Sequence, residues 1–320
     1  MLTRPILGMM LAAATVVLAG ASCGEKSAHS ADDYEGIKKV LDEKDHPPGD
    51  NAATDPQPAT DTAKAPVPLP GIDDAKLSAD QKARLSALAD SLPSPCGKAH
   101  SLRKSLESDQ SCKRAPFAAR FVVELLADGA ADSDVRDLYS AHYPPVVPEA
   151  KTFKVANAPH MGPATARVKM VEFFDYACPH CKHFVPVLHE AVAAFPTDVV
   201  IYYKMFPLSH NKTSVGAAQA AIAADKQGKF AEMHELLFAN APKHDRASLF
   251  AYAKSLDLDM KKFTADFDAA KAQVESDKAE GEAAGVDGTP TLYINGRQYE
   301  GVSVGKYLKM WIEEELAVNG

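Results

Sequence analysis

Long blocks of lysine or arginine are missing from this chain. Its formal net charge is -8, so it lacks the electrostatic footprint of a nucleic-acid-binding protein. There is one Trp in 320 residues. Trp311 falls in an apolar-periodic closing segment, where a core role is expected. No internal repeat is visible. The apolar run from Ile6 to Ala19 is too short for a membrane span. Cysteine is scarce, at five residues, and its placement excludes two common uses. A zinc knuckle needs four ligands. Only His180 and His183 lie near Cys178 and Cys181, with no second cysteine pair. Haem attachment needs His directly after the second cysteine, and Lys182 stands there. No metal and no cofactor are expected.

What is present is Cys178-Pro179-His180-Cys181, directly after the apolar run Val168–Phe174. Two cysteines two residues apart, where a buried strand feeds a helix, make a redox motif. A helix N-terminus offers unpaired N–H groups and a partial positive charge to Cys178. Both favour the thiolate, the nucleophile of disulfide exchange. His180 can add a hydrogen bond or a charge to the same sulfur. Cys178 is therefore the expected attacking thiol, and Cys181 the thiol that resolves the mixed disulfide.

The first 23 residues read as a basic start, a short apolar core and a cleavage region. Leu18-Ala19-Gly20-Ala21-Ser22-Cys23 resembles a bacterial lipoprotein box with Cys23 as the lipidated residue, although Gly20 stands where Leu is favoured. Ordinary signal cleavage after Ala21 is the competing reading. Either one implies export to a periplasmic compartment that permits disulfides. Cys96 and Cys112 are then an expected structural disulfide, which stabilises by roughly 3 kcal/mol for a loop of this size. A second redox pair is the alternative.

Residues 24–71 are polar and carry Pro47, Pro48, Pro56, Pro58, Pro66, Pro68 and Pro70. They cannot bury enough surface to offset chain entropy and read as a tether, with one short helix around Tyr34–Leu41. Residues 72–148 show helical periodicity. Ser78 opens a segment with Leu85 and Leu88. Ser101–Ser108 and Phe117–Asp128 follow, Gly129 stops the latter, and Ser133 or Asp132 caps a last helix. A small all-α domain is expected, ending at Pro144, Pro145 and Pro148. Phe121–Tyr143 resembles the short helical bundle of cytochrome c maturation H-type proteins, but that family's cysteines form a CxxC pair. Residues 149–320 read as strand, strand, helix, strand, helices, strand, helix. The helices cover about 213–284, and Asn295-Gly296 marks a turn.

That order resembles the DsbA-like branch of the thioredoxin superfamily, over roughly residues 151 to 320. The tetrapeptide Cys178–Cys181 carries the match. So do Pro186 in the following helix, Thr289-Pro290 after Gly285-Val286-Asp287-Gly288, and Glu172 six residues before Cys178. The resemblance implies an α/β thioredoxin-like fold with a helical insertion. It also implies a cis peptide bond at Pro290 that presents a backbone edge to substrate. Glu172 would be a buried acid that takes the Cys181 proton. The implied activity is protein-disulfide oxidoreduction on exported proteins with cysteines, recycled by a membrane partner (a quinone-linked oxidase or a thiol reductase). Thr289 is the residue found in reductase and isomerase relatives, where the best-known oxidase has Val. Its hydroxyl is expected to offset part of the oxidising bias. The alternatives are a reductase or isomerase, including one serving cytochrome c maturation, and a lipid-anchored binding protein without activity.

Overall fold

The computed structural model describes residues 66–301 and 304–319. The signal region, Cys23 and most of the tether lie outside them. The last residues assigned to the tether do not behave as one. Leu69 is buried in the first helical core, and the Val67 N–H donates to Ser86.

Four helices come first: α1 (Ala79–Ser91), α2 (Leu102–Ser108), α3 (Ala115–Ala127) and α4 (Asp132–His142). Ser78 and Gln81 form a reciprocal capping box on α1, and Ser101 caps α2. Neither Ser133 nor Asp132 is the cap of α4. Ala131 holds that position, and Asp134 satisfies its N–H from inside the first turn. Gly129 ends α3 at φ 88°, a conformation open to glycine without a Cβ penalty. Cys96 and Cys112 are joined by a disulfide.

The rest is a five-stranded sheet with helices on both faces. The strands are β1 (His160–Met161), β2 (Val168–Phe174), β3 (Val199–Met205), β4 (Thr291–Ile294) and β5 (Arg297–Gln298), in the order β1-β3-β2-β4-β5. Only β2 and β3 run parallel. The first strand is two residues long, bracketed by Pro159, Gly162 and Pro163. Helix α5 (Pro179–Ala194) follows β2, with Pro186 inside it. Helices α6 (Ser214–Asp225), α7 (Phe230–Ala239), α8 (Arg246–Ser255), α9 (Met260–Ala269) and α10 (Lys271–Ala283) separate β3 from β4, and α11 (Gly305–Val318) closes the chain. This is a thioredoxin-like α/β fold with a helical insertion.

Strand alternation divides the core. Met170, Phe174, Ile201 and Tyr203 face the main core with α5, whereas Val171, Phe173, Val200 and Tyr202 face a second cluster. Helix α10 lies close on that second face. A Cβ on Gly281 would come within 2.8 Å of Phe206 and 2.9 Å of Phe173. Lys204 points the same way and pairs with Asp277 and Glu280.

The helical unit is not separate from the sheet. Tyr307 and Met310 of α11 complete its core. Arg114 pairs with Glu314 and Glu315, and Tyr143 donates to Glu314 at 2.5 Å. His142 stacks on Trp311 with ring centroids 3.7 Å apart. Among the described residues, no helix is long and apolar enough to cross a membrane.

Candidate active site

Cys178 is the N-cap of α5, and Pro179 takes the first helical position. Proline suits that position because its φ is already helical and its missing N–H would be unpaired anyway. Both cysteines are free thiols. Cys178 is 5% exposed and Cys181 fully buried, so the first sulfur sits at the helix mouth and the second one turn inward. The Cys181 N–H points at the Cys178 sulfur at 3.5 Å.

The two thiols diverge sharply. Cys178 is lowered to about 5, first by the hydrogen bond from Cys181, then by the Thr289 side chain and the N–H groups of Cys181 and His180, with burial opposing. Cys181 is pushed up by burial, by its bond to Cys178 and by the nearby charges of Glu172 and Cys178. One contact works against the thiolate. The Cys178 thiol donates to the Thr289 carbonyl oxygen at 3.3 Å, which favours the protonated form. The donors converging on the sulfur outnumber that single acceptor, so the lowering prevails.

The Thr289 hydroxyl is buried with no hydrogen-bond partner among the described residues, while the side chain acts to lower Cys178. His180 is exposed, and its backbone N–H is among the groups that lower Cys178. The Thr289–Pro290 bond is cis, and it precedes β4, which pairs with β2 from Thr291 onward. That register sets the Pro290 loop beside the Cys178 loop.

Glu172 is 1% exposed, on the α5 side of the sheet between Tyr203 and Leu292. Its carboxyl is raised to about 8, by burial first and then by the charge of Cys178. Neither oxygen has a hydrogen-bond partner among the described residues. It lies near Cys181 without a direct bond to it. No group of three or more His, Cys, Asp or Glu among the described residues could hold a metal.

Sequence reasoning missed Asp175. It is buried and accepts from the Ala177 N–H at 2.8 Å, the Leu208 N–H at 3.0 Å, Asn211 at 2.8 Å and the Ser214 hydroxyl. Its own carbonyl accepts from the Cys178 N–H at 3.0 Å. Asp175 thus fixes the active-site loop to the β3–α6 connection. An Asp beginning a tight turn was the available signal. Tyr176, hydrogen-bonded to His234 at 3.0 Å, was also missed. His183 and His210 join no cluster, whereas His189 lies 5.9 Å from His234 between ring centroids.

Parts of this chain are similar to known proteins. The Na(+)/H(+) antiporter NhaA 1 of Salinispora arenicola is 38% identical over 145 residues, 44% of this chain and 22% of the antiporter. The chain therefore spans only about a fifth of that relative's length. Among solved structures, BdbD of Bacillus subtilis is 27% identical, with 52% of this chain and 97% of that one covered at a TM-score of 0.47. The catalytic domain of Proteus mirabilis ScsC is 27% identical, with 51% and 90% covered at 0.45. A family model described as Thioredoxin matches residues 154–314, just over half of the chain. The chain belongs to the thioredoxin family.

Proposed function

We propose that this protein is a periplasmic oxidase that donates disulfides to exported proteins through Cys178 and Cys181. The observation that carries the reading is the contrast between a thiol lowered to about 5 and a partner raised above the ordinary range. A stabilised thiolate favours the reduced enzyme, which makes its disulfide a strong oxidant. In the forward step, a client thiolate attacks the Cys178 sulfur of the oxidised pair. The Cys178–Cys181 bond breaks, a mixed disulfide forms, and Cys181 leaves and collects a proton. The client's second thiolate then attacks the mixed disulfide and releases Cys178 as thiolate. Glu172 supplies or removes the Cys181 proton, since its carboxyl titrates near neutral pH inside the core. A membrane redox partner reoxidises the pair.

Export and the lipid anchor at Cys23 rest on the N-terminal pattern alone. The cis Thr289-Pro290 loop, set beside Cys178 by the β2–β4 register, is the edge on which a client's backbone would lie. A reductase or isomerase is the second reading: Thr289 resembles the residue of such relatives, although its side chain also acts to lower Cys178. Measuring the reduction potential against glutathione decides between them. A value well above thioredoxin's, about -270 mV, supports the oxidase, and one at or below it rejects the oxidase for the reductase.

A further inference from the structure

The loop that Asp175 ties to the active site opens into a cavity of about 290 Å³ between the β3–α6 connection and α10. Leu208, Val215 and Val274 supply apolar walls, and Val215 is 38% exposed. Three lysines, Lys212, Lys271 and Lys278, stand around them with a single carboxylate, Glu275. Those lysines are weakly committed. Lys271 is 3.8 Å from Glu275 and Lys278 is 4.0 Å from Glu282, and Lys212 has no ion pair among the described residues. This is a positive patch on a chain whose formal net charge is -8. It lies at the lower edge of the roughly 300–1,000 Å³ that ligand pockets occupy and is large enough for a side chain or two.

We infer that this cavity is a client-selection pocket, which takes an apolar side chain flanked by acidic residues from an extended segment of the protein being oxidised. The inference rests on the thiol–disulfide reading given above. The occupant follows from position and charge. Leu208 and Asn211, in the cavity wall, hydrogen-bond to the same carboxylate that accepts from the Ala177 N–H, one residue before Cys178. An extended client advances about 3.3 Å per residue, and the segment that would enter the pocket is one that flanks its reacting cysteine. The apolar walls take up the central side chain, and the lysines pair with its acidic neighbours. The pocket thereby favours acidic clients without touching the chemistry at sulfur.

The test uses two reduced two-cysteine peptides that carry Glu-Leu-Glu or Lys-Leu-Lys on both sides of the reactive cysteine, so that strand direction does not decide the result. Second-order oxidation rates are measured with the full oxidised protein and with a Lys212→Glu/Lys271→Glu variant. The native protein should oxidise the Glu-Leu-Glu peptide about fivefold faster, from two or three exposed pairs, and the preference should shrink with salt. The variant should reverse the preference, which an unfolded protein cannot do. Equal rates with the native protein, or the same preference in the variant, overturn the pocket and leave the oxidase reading standing. If neither peptide reacts, both readings fail. If sedimentation shows that the substitutions change oligomeric state while the native protein shows no peptide preference, the occupant is a second copy of this chain and the inference is overturned.

Discussion

Glu172 and Cys178 titrate in the reverse of their usual order. The buried carboxyl titrates at about 8 and the thiol at about 5. Between those values the site carries one negative charge, on sulfur and not on oxygen. The charge on Cys178 itself helps to keep Glu172 protonated.

This inversion sets the pH dependence of the reduced protein's stability. Glu172 binds its proton more tightly when folded, so its contribution is full at low pH and is lost as pH rises from the ordinary carboxyl value of 4.5 to about 8. Cys178 binds its proton less tightly when folded, so its contribution grows from about 5 to the ordinary 9. Over pH 5–8 the two slopes oppose, each limited to about 1.4 kcal/mol per pH unit. Burial also lowers His142, His189 and His234 from 6.5, which adds a rising slope below that pH, so urea denaturation should find the reduced native protein nearly flat only from about pH 6.5 to 8. Cys178→Ser should lose stability with rising pH, and Glu172→Gln should gain it. Parallel curves for all three would show that the inversion is absent.

Alkylation by iodoacetamide should report a single fast thiol, Cys178, with a midpoint near pH 5, while Cys181 stays unreactive in the folded protein. The largest cause of the lowering is the hydrogen bond from Cys181. Cys181→Ala should therefore raise the midpoint by more than Cys181→Ser, which keeps a hydroxyl donor. Cys181→Ser should also accumulate mixed disulfides with clients. Accumulation in Cys178→Ser instead would reverse the two roles.

Much of this was legible in the sequence, for identifiable reasons. Strands β2 and β3 are near-continuous apolar runs, and their ends coincide with the expected ones. The pair Cys178–Cys181 and the position of Glu172 follow from local pattern. What escaped was non-local. Asp175 matters because residues 208–214 fold back onto it, and no spacing rule announces that. The His180 backbone N–H acts on Cys178 through the geometry of the helix mouth, which no side-chain pattern reports. The merging of the helical unit with α11 depends on Tyr307 and Met310, which look like ordinary core positions of their own helix.

Substitution at His180 separates the imidazole from the backbone. His180→Ala keeps the N–H and should leave the Cys178 midpoint and the potential nearly unchanged. His180→Pro removes that donor and should raise the midpoint and lower the potential. Thr289→Val should shift both in the same direction as His180→Pro, because the Thr289 side chain favours the thiolate. A large shift with His180→Ala in a thiol titration would return the effect to the imidazole.

The contact between the helical unit and α11 is a buried ionic network, and its behaviour on mutation follows from burial. Glu314 is 1% exposed and receives Arg114, Tyr143 and His142. Burial alone would raise its carboxyl, but those partners hold it below the usual range. Removing one partner leaves the others with an uncompensated buried charge, which costs about 3–5 kcal/mol. Glu314→Ala should therefore be far more destabilising than Glu313→Ala, since the Glu313 side chain is 40% exposed and its pair with Arg120 is worth about 0–1 kcal/mol. Trp311 reads the change directly. It is the only Trp and stacks on His142 across the contact, so its fluorescence should follow the loss of docking. In the native protein the two units share a core, so fluorescence and circular dichroism should give one coincident urea transition. Glu314→Ala should shift the fluorescence transition to lower urea, and equal midpoints for Glu314→Ala and Glu313→Ala would show that the network contributes nothing to docking.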